Sequence, residues 1–351
     1  MNVKWRTVLE PAGAVLASDQ VVSFGEVETE LRSALAGDIC CDLSHLALIA
    51  ARGADSETFL QGQLTCDLRQ VTADRSRIGA YCTPKGRALA CFRLFRRDDA
   101  YSLELPCSLV EPTLARLRKY VMRAKTTLED ASDATARMGV AGANAGRLLV
   151  EHGVLATAEM AADTVWQPDN LTVIRLSGSV PRFELHGPPE ALATLWSKLA
   201  TNAVPVGAEA WRLLDILAGT PVVYPETVEA FVPQMLNLDL LNGVNFQKGC
   251  YTGQEIVART HYLGKLKRRM FLARVDSPTP PRPGDPLFSP RAGPSQSAGQ
   301  LADAARHPDG GHAVLAVASI EFAEQGPLQL GDANGPALRL EPLPYRFEAT
   351  S

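Results

Sequence analysis

FVPQMLNLDLLNGVNFQKGCYTGQEIVAR, residues 231–259, sets a single cysteine, Cys250, between Lys248-Gly249 and Tyr251 just ahead of a helical pattern. Thr252 and Glu255 stand three apart, as in a capping box, and predict a helix over GQEIVART. The positive end of such a helix, with Lys248 as a second cationic neighbour, favours a thiolate at Cys250. Spacing leaves three roles open for it: nucleophile, ligand or small buried residue. The same motif gives Thr252 and Glu255 a purely structural explanation. Downstream of Cys250, Arg259, Lys265, Lys267, Arg268 and Arg269 follow with no acidic residue among them, a pattern that serves either as a solvated face or as an anion site.

The 351 residues are enough for roughly two or three domains. With 46% hydrophobic and 21% charged residues the composition is that of ordinary soluble proteins, which excludes disordered and fibrous classes. A net charge of -4 argues against a chain devoted to nucleic acid, and no direct nucleic-acid partner is expected. No signal pattern opens the chain and no apolar run nears ~20 residues, so a cytoplasmic protein without a membrane partner is expected. The seven cysteines are odd in number, scattered and without a CxxC pair, which predicts reduced thiols and no resident metal.

Elsewhere the pattern is that of an α+β protein. HLALIAARGADSETFLQGQLTCDL predicts a strand ending at Gly53 and a short helix capped by Asp55. IGAYCTPKGRALACFRLFRRDDAYSLEL predicts a three-stranded meander turning at Pro84-Lys85-Gly86 and at Asp98-Asp99. A helix is predicted from about Glu111, with Pro112 in its first turn. Residues 126–204 predict a compact α+β unit: strand and helix in RMGVAGANAGRLLVEHG, a hairpin in LTVIRLSG and RFELHG, and a helix in PEALATLWSKLATN. GVAGANAG lacks dinucleotide-fold glycine spacing. AEAWRLLDILAG is an amphipathic helix stopped by Gly219. SPTPPRPGDPLFSPRAGP, residues 277–294, holds seven of the 24 prolines and excludes a helix; the tail alternates short strands and turns as a small barrel does.

Together with GADSETFLQGQLTCD (53–67), TPKGRALACFRLFR (83–96), LRKYVMRAK (117–125), GVAG (139–142) and LEPLPY (340–345), the cysteine segment resembles the YgfZ-type folate-binding proteins of iron-sulfur cluster assembly and repair. That family is similar in fold to the glycine-cleavage T-protein. The resemblance implies a three-domain ring with a C-terminal β-barrel: 1–125 with 205–262 as a split folate-binding domain, 126–204 as an inserted α+β domain, and 263–351 as the barrel.

It further implies a tetrahydrofolate-binding accessory factor whose partners are folate and iron-sulfur client enzymes or assembly factors. Cys250 is then the functional thiol, and Trp211, Leu46, Lys248, Tyr251, Gln254, Arg259 and Gln234 are the implied folate neighbours. Trp211 would stack on the pterin or serve core packing; Lys248 or Arg259 would meet the glutamate tail. The T-protein's acidic pair falls at Ala90 and Cys91, and its pterin-contacting glutamate at Leu217. Without a carboxylate there, aminomethyl transfer lacks its proton carrier, so an aminomethyltransferase is not expected. Two other readings stay open: a one-carbon transferase with a rewired catalytic group, and a non-catalytic folate-sensing adaptor.

Overall fold

RFELHG, bounded by turn residues on both sides, becomes the strand Arg182–Gly187, antiparallel to Thr172–Leu176 on one side and to Ala136–Ala141 on the other. All six of its residues are buried, as befits a central strand covered on both faces. In the computed structural model, which describes residues 1–264, 266–292 and 297–346, this strand lies in a six-stranded sheet. The strand order is Val165–Trp166, Thr172–Leu176, Arg182–Gly187, Ala136–Ala141, Ile39–Asp42 and Val204–Val206. The last two pair in parallel, so residues 126–204 do not own their sheet but share it with Ile39–Asp42.

The chain forms two compact units, one comprising Met1–Phe59, Leu68–Arg77 and Arg93–Leu214, the other Leu60–Asp67, Ile78–Phe92 and Asp215–Ser351. In the first unit the six-stranded sheet is covered by the helix Pro189–Leu199, which buries Leu192, Leu195, Trp196 and Leu199. Trp196 meets Trp5 edge-on at 5.7 Å and stacks on Phe24 at 5.5 Å. Each such pair adds roughly 1 kcal/mol beyond the area it buries. A second sheet of this unit joins Leu46–Arg52 to Ala100–Pro106 on one side and Thr127–Asp130 on the other. The predicted meander and its two turns are present.

One boundary differs. The helix predicted from Glu111 runs Cys107–Arg118, a turn earlier, and carries Pro112 inside it. Pro112 withholds one backbone donor, but the helix buries Leu109, Val110, Leu114 and Leu117, and that burial outweighs one hydrogen bond.

In the second unit a closed barrel runs Arg268–Val275, His312–Ser319, Gly299–Arg306, Pro286–Phe288, Leu328–Leu330 and Ala337–Glu341. Closure leaves no unpaired edge. The proline-rich run contributes only the three-residue strand Pro286–Phe288 among its described residues. Strand residues Val275, Leu287, Leu301 and Val314 pack in one apolar cluster, joined by Phe322 from the helix Ile320–Gln325. Among the described residues no helix is long and apolar enough to cross a membrane.

Candidate functional site

The cysteine loop of the second unit is held by its lysine. Lys248 is only 5% exposed, and its ammonium donates to the backbone carbonyls of Gln61, Leu64 and Cys66 at 2.7, 2.7 and 2.8 Å. Three carbonyls converging on one compact cation suit an ammonium, whose donors rotate freely. The segment Gln61–Cys66 also accepts from Asn245 N–H at the Thr65 carbonyl, 2.9 Å, while Thr65 Oγ1 donates to the Gly243 carbonyl at 2.6 Å. The loop is therefore clamped at both ends of residues 243–248. Tyr251, beyond it, is buried with its ring 5.0 Å from the Lys248 ammonium, a cation–π contact. Between these two buried anchors Gly249 and Cys250 face solvent.

The predicted helix is present as Gln254–Tyr262, but the capping box is not. Gly253 is the N-cap, left-handed at φ 86°, and no side chain caps the helix. The tertiary reason lies in the TPKGR turn, where Gly86 is also left-handed at φ 68°. A Cβ on Gly253 would lie 2.5 Å from the Thr83 carbonyl oxygen and 2.9 Å from Gly86 Cα. Backbone packs on backbone there, so glycine takes the cap and Thr252 has no part in it. The helix is held from below by Gln234, which donates to the Val257 carbonyl at 2.6 Å.

The basic run divides. Arg269 is tied to Asp239 by two bonds of 2.5 and 2.9 Å and donates to the Gln234 carbonyl. Acid-free in sequence, it meets its acid in the fold, so it is structural. Arg259 and Lys267 are exposed and Arg268 is half-buried, donating to the Ser297 carbonyl; Lys265 lies outside the described residues.

The other expected ligand neighbours fall out as follows. Lys248 is committed to backbone carbonyls and so anchors the loop; its ammonium is not poised for a glutamate tail. Trp211 belongs to the first unit and is fully buried. Its ring lies where a Cβ on Gly139 would come within 2.4 Å, and the Arg182 guanidinium stands 5.5 Å over it. The glycine of GVAG leaves room for that indole. Leu46, also in the first unit, opens the strand Leu46–Arg52 and is half-buried. Gln254 opens the helix, half-exposed, and its N–H donates to the Tyr251 carbonyl at 3.1 Å. Three buried polar atoms of these residues have no hydrogen-bond partner among the described residues: Trp211 Nε1 in the first unit, and Tyr251 Oη and Gln234 Oε1 in the second. Tyr251 and Gln234 are both among the neighbours the resemblance implies, whereas the lack of a partner for their buried atoms is visible only in the fold.

Ala90 and Cys91 are both buried, and neither side chain carries a carboxyl group. Burial drives the Cys40 and Cys82 thiols up to about 12 and Cys91 higher still, with Cys82 adding to the last. Of the seven cysteines only Cys250 is exposed, Cys107 being intermediate and the rest buried.

Comparison with known proteins places these features. The family described as the GCVT N-terminal domain matches residues 15–246. The tRNA-modifying protein YgfZ of Sodalis glossinidius is 35% identical over 303 residues, covering 86% of this chain and 92% of that protein. Its namesake from Yersinia pestis is 34% identical over 303 residues, with 86% and 91% covered. The crystal structure of the glycine cleavage system aminomethyltransferase T from Bartonella henselae superposes with a TM-score of 0.81 at 19% identity, covering 98% of this chain and 97% of that one. The last likeness is one of fold.

Proposed function

Since the chain belongs to the YgfZ family, within the wider GCVT N-terminal domain family, we propose that it is a tetrahydrofolate-binding accessory factor supporting assembly or repair of iron-sulfur clusters in client enzymes, with Cys250 as its working thiol. One observation carries this reading: the exposed cysteine sits on a loop pinned on either side by buried Lys248 and Tyr251. A thiol that acts on a client must be both reachable and held in place, and only Cys250 combines the two. The tRNA modification in its relatives' names would then follow through an iron-sulfur client, with no direct contact to nucleic acid.

Folate fits the second unit's residues in a specific sense. Tyr251 Oη, a donor, and Gln234 Oε1, an acceptor, are buried atoms without a partner, and the polar edge of a pterin is proposed to satisfy them. Arg259, exposed on the same helix as Gln254, is the cation proposed to meet the glutamate tail, the ammonium of Lys248 being engaged elsewhere. Trp211 is proposed to act by packing against Gly139. With Ala90 and Cys91 buried and without a carboxylate, the folate is proposed to be bound and not turned over.

A second reading, the non-catalytic adaptor, is favoured by Tyr262 and Leu263, 63% and 85% exposed at the end of the same helix. The test is complementation: cells lacking the protein receive wild type or Cys250→Ala, and iron-sulfur enzyme activities are measured beside tetrahydrofolate binding by fluorescence titration. Loss of client activity with folate binding retained supports the thiol; full activity with Cys250→Ala selects the adaptor. Steady aminomethyl transfer to tetrahydrofolate would overturn both.

A further inference from the structure

We propose that Glu104, Glu184 and His186 in the first unit form a binding site for one divalent transition-metal ion of zinc's size and ligand preference. Glu184 and His186 are two apart on the strand Arg182–Gly187, so both side chains leave the same face. Glu104 comes from Ala100–Pro106, a strand of the unit's other sheet. One ligand atom from each of the three lies within 4.8 Å of the others, and His186 Nδ1 stands 3.9 Å from Glu104 Oε1. Ligands around a tetrahedral zinc, each about 2.1 Å from it, are roughly 3.4 Å apart, so modest side-chain rotation closes the set.

The second observation is what these atoms lack. His186 is 3% exposed and Glu104 4%, yet neither imidazole nitrogen, nor Glu104 Oε1, has a hydrogen-bond partner among the described residues. Buried polar groups are ordinarily satisfied, and an orphaned imidazole facing a carboxylate asks for a shared partner. The ring is oriented by Phe95, whose centroid is 4.7 Å away.

The surrounding charge agrees. Arg93 lies 3.9 Å from Glu184 but donates at 2.8 Å to Asp163 and at 3.0 Å to Ser76 Oγ. Arg137, the other cation facing the cluster, donates to the carbonyls of Ser132 and Thr135. Both guanidinium groups thus make their hydrogen bonds outside the cluster. An open cavity of ≈ 300 Å³, lined by His186, Phe95, Ser102 and Thr172, provides an entry path. One imidazole and two carboxylates, without sulfur, suit zinc, cobalt(II) or manganese(II) over copper(I).

The test uses the full chain, stripped with a chelator and titrated with Co²⁺ alone, then with Zn²⁺. The expected result is one Co²⁺ per chain, with visible d–d absorption free of thiolate charge transfer and displaced by Zn²⁺. Glu104→Gln and His186→Gln should each weaken binding by at least about tenfold, whereas Cys250→Ser should leave it unchanged. If either glutamine variant fails to fold, X-ray absorption at the zinc edge of the wild type decides: a nitrogen and oxygen shell with one imidazole supports the site. Absence of the d–d band, a thiolate band lost with Cys250→Ser, or sulfur in the zinc shell overturns it and leaves a carboxyl pair that shares a proton.

Discussion

Replacing Lys248 by Met tests the loop's anchoring most directly. Methionine keeps the buried stem but removes the ammonium, leaving the carbonyls of Gln61, Leu64 and Cys66 without that donor. Hydrogen bonds to a charged group contribute about 1.5–3 kcal/mol each, and the wild type spends part of that gain on burying the ammonium. A net loss of about 3 kcal/mol follows once the three bonds are discounted for this and for sharing one donor. At about 2–4 °C per kcal/mol for units of 150–250 residues, the melting temperature should fall by roughly 6–12 °C. Differential scanning calorimetry measures this, and a urea series checks it independently. Lys248→Arg should also destabilise, because a planar fork cannot aim its donors at three carbonyls converging on one point. A fall of less than about 2 °C for Lys248→Met would refute the anchoring, and would return the ammonium to the role of a ligand-facing charge.

Three further outcomes are expected. Gly253→Ala should cost about 2–4 kcal/mol in urea unfolding, from a left-handed backbone at φ 86° and a Cβ 2.5 Å from the Thr83 carbonyl; unchanged stability would disprove the backbone contact. Iodoacetamide on the native protein should label Cys250 well before any other cysteine, since burial holds Cys40 and Cys82 as thiols up to about 12; peptide mapping that found early label on the buried set would contradict the loop geometry. Half-buried His45, whose Nδ1 is out of reach of solvent, is held neutral down to about 4, by loss of hydration first and then by Arg137 and Arg212. Its folded value thus lies below the ~6.5 of an unfolded histidine, so its contribution is complete above that value and shrinks as pH falls, by about 1 kcal/mol at pH 5.5 and roughly 3 at pH 4. His45→Gln should flatten urea midpoints measured between pH 7 and 4.5, and an identical slope in both proteins would exclude His45 as the cause.

Much of the secondary structure was written locally. Turn residues such as Gly86 and Asp98, and the period-two alternation between them, place the meander; the proline-rich run bars a helix, and Gly219 stops one. Such signals act over a few residues, where backbone sterics decide. The family-like segments extend that reading to the barrel and to Cys250. What sequence could not convey is which groups meet across the chain. Thr252 and Glu255 satisfy the spacing of a capping box, yet the turn at Gly86 presses so close that Gly253 takes the cap. Arg269 looks like part of an unpaired basic strip until Asp239, thirty residues away in sequence, turns out to neutralise it. Trp211 reads as a ligand-facing ring and is enclosed because Gly139 leaves room for it. Lys248 reads as a charge beside a thiol and is drawn instead to three carbonyls of a segment some 180 residues earlier. In each case the residue type was legible, while its partner was set by long-range packing and by the electrostatics of burial, where a charge must find its counter-group before any other role is open to it.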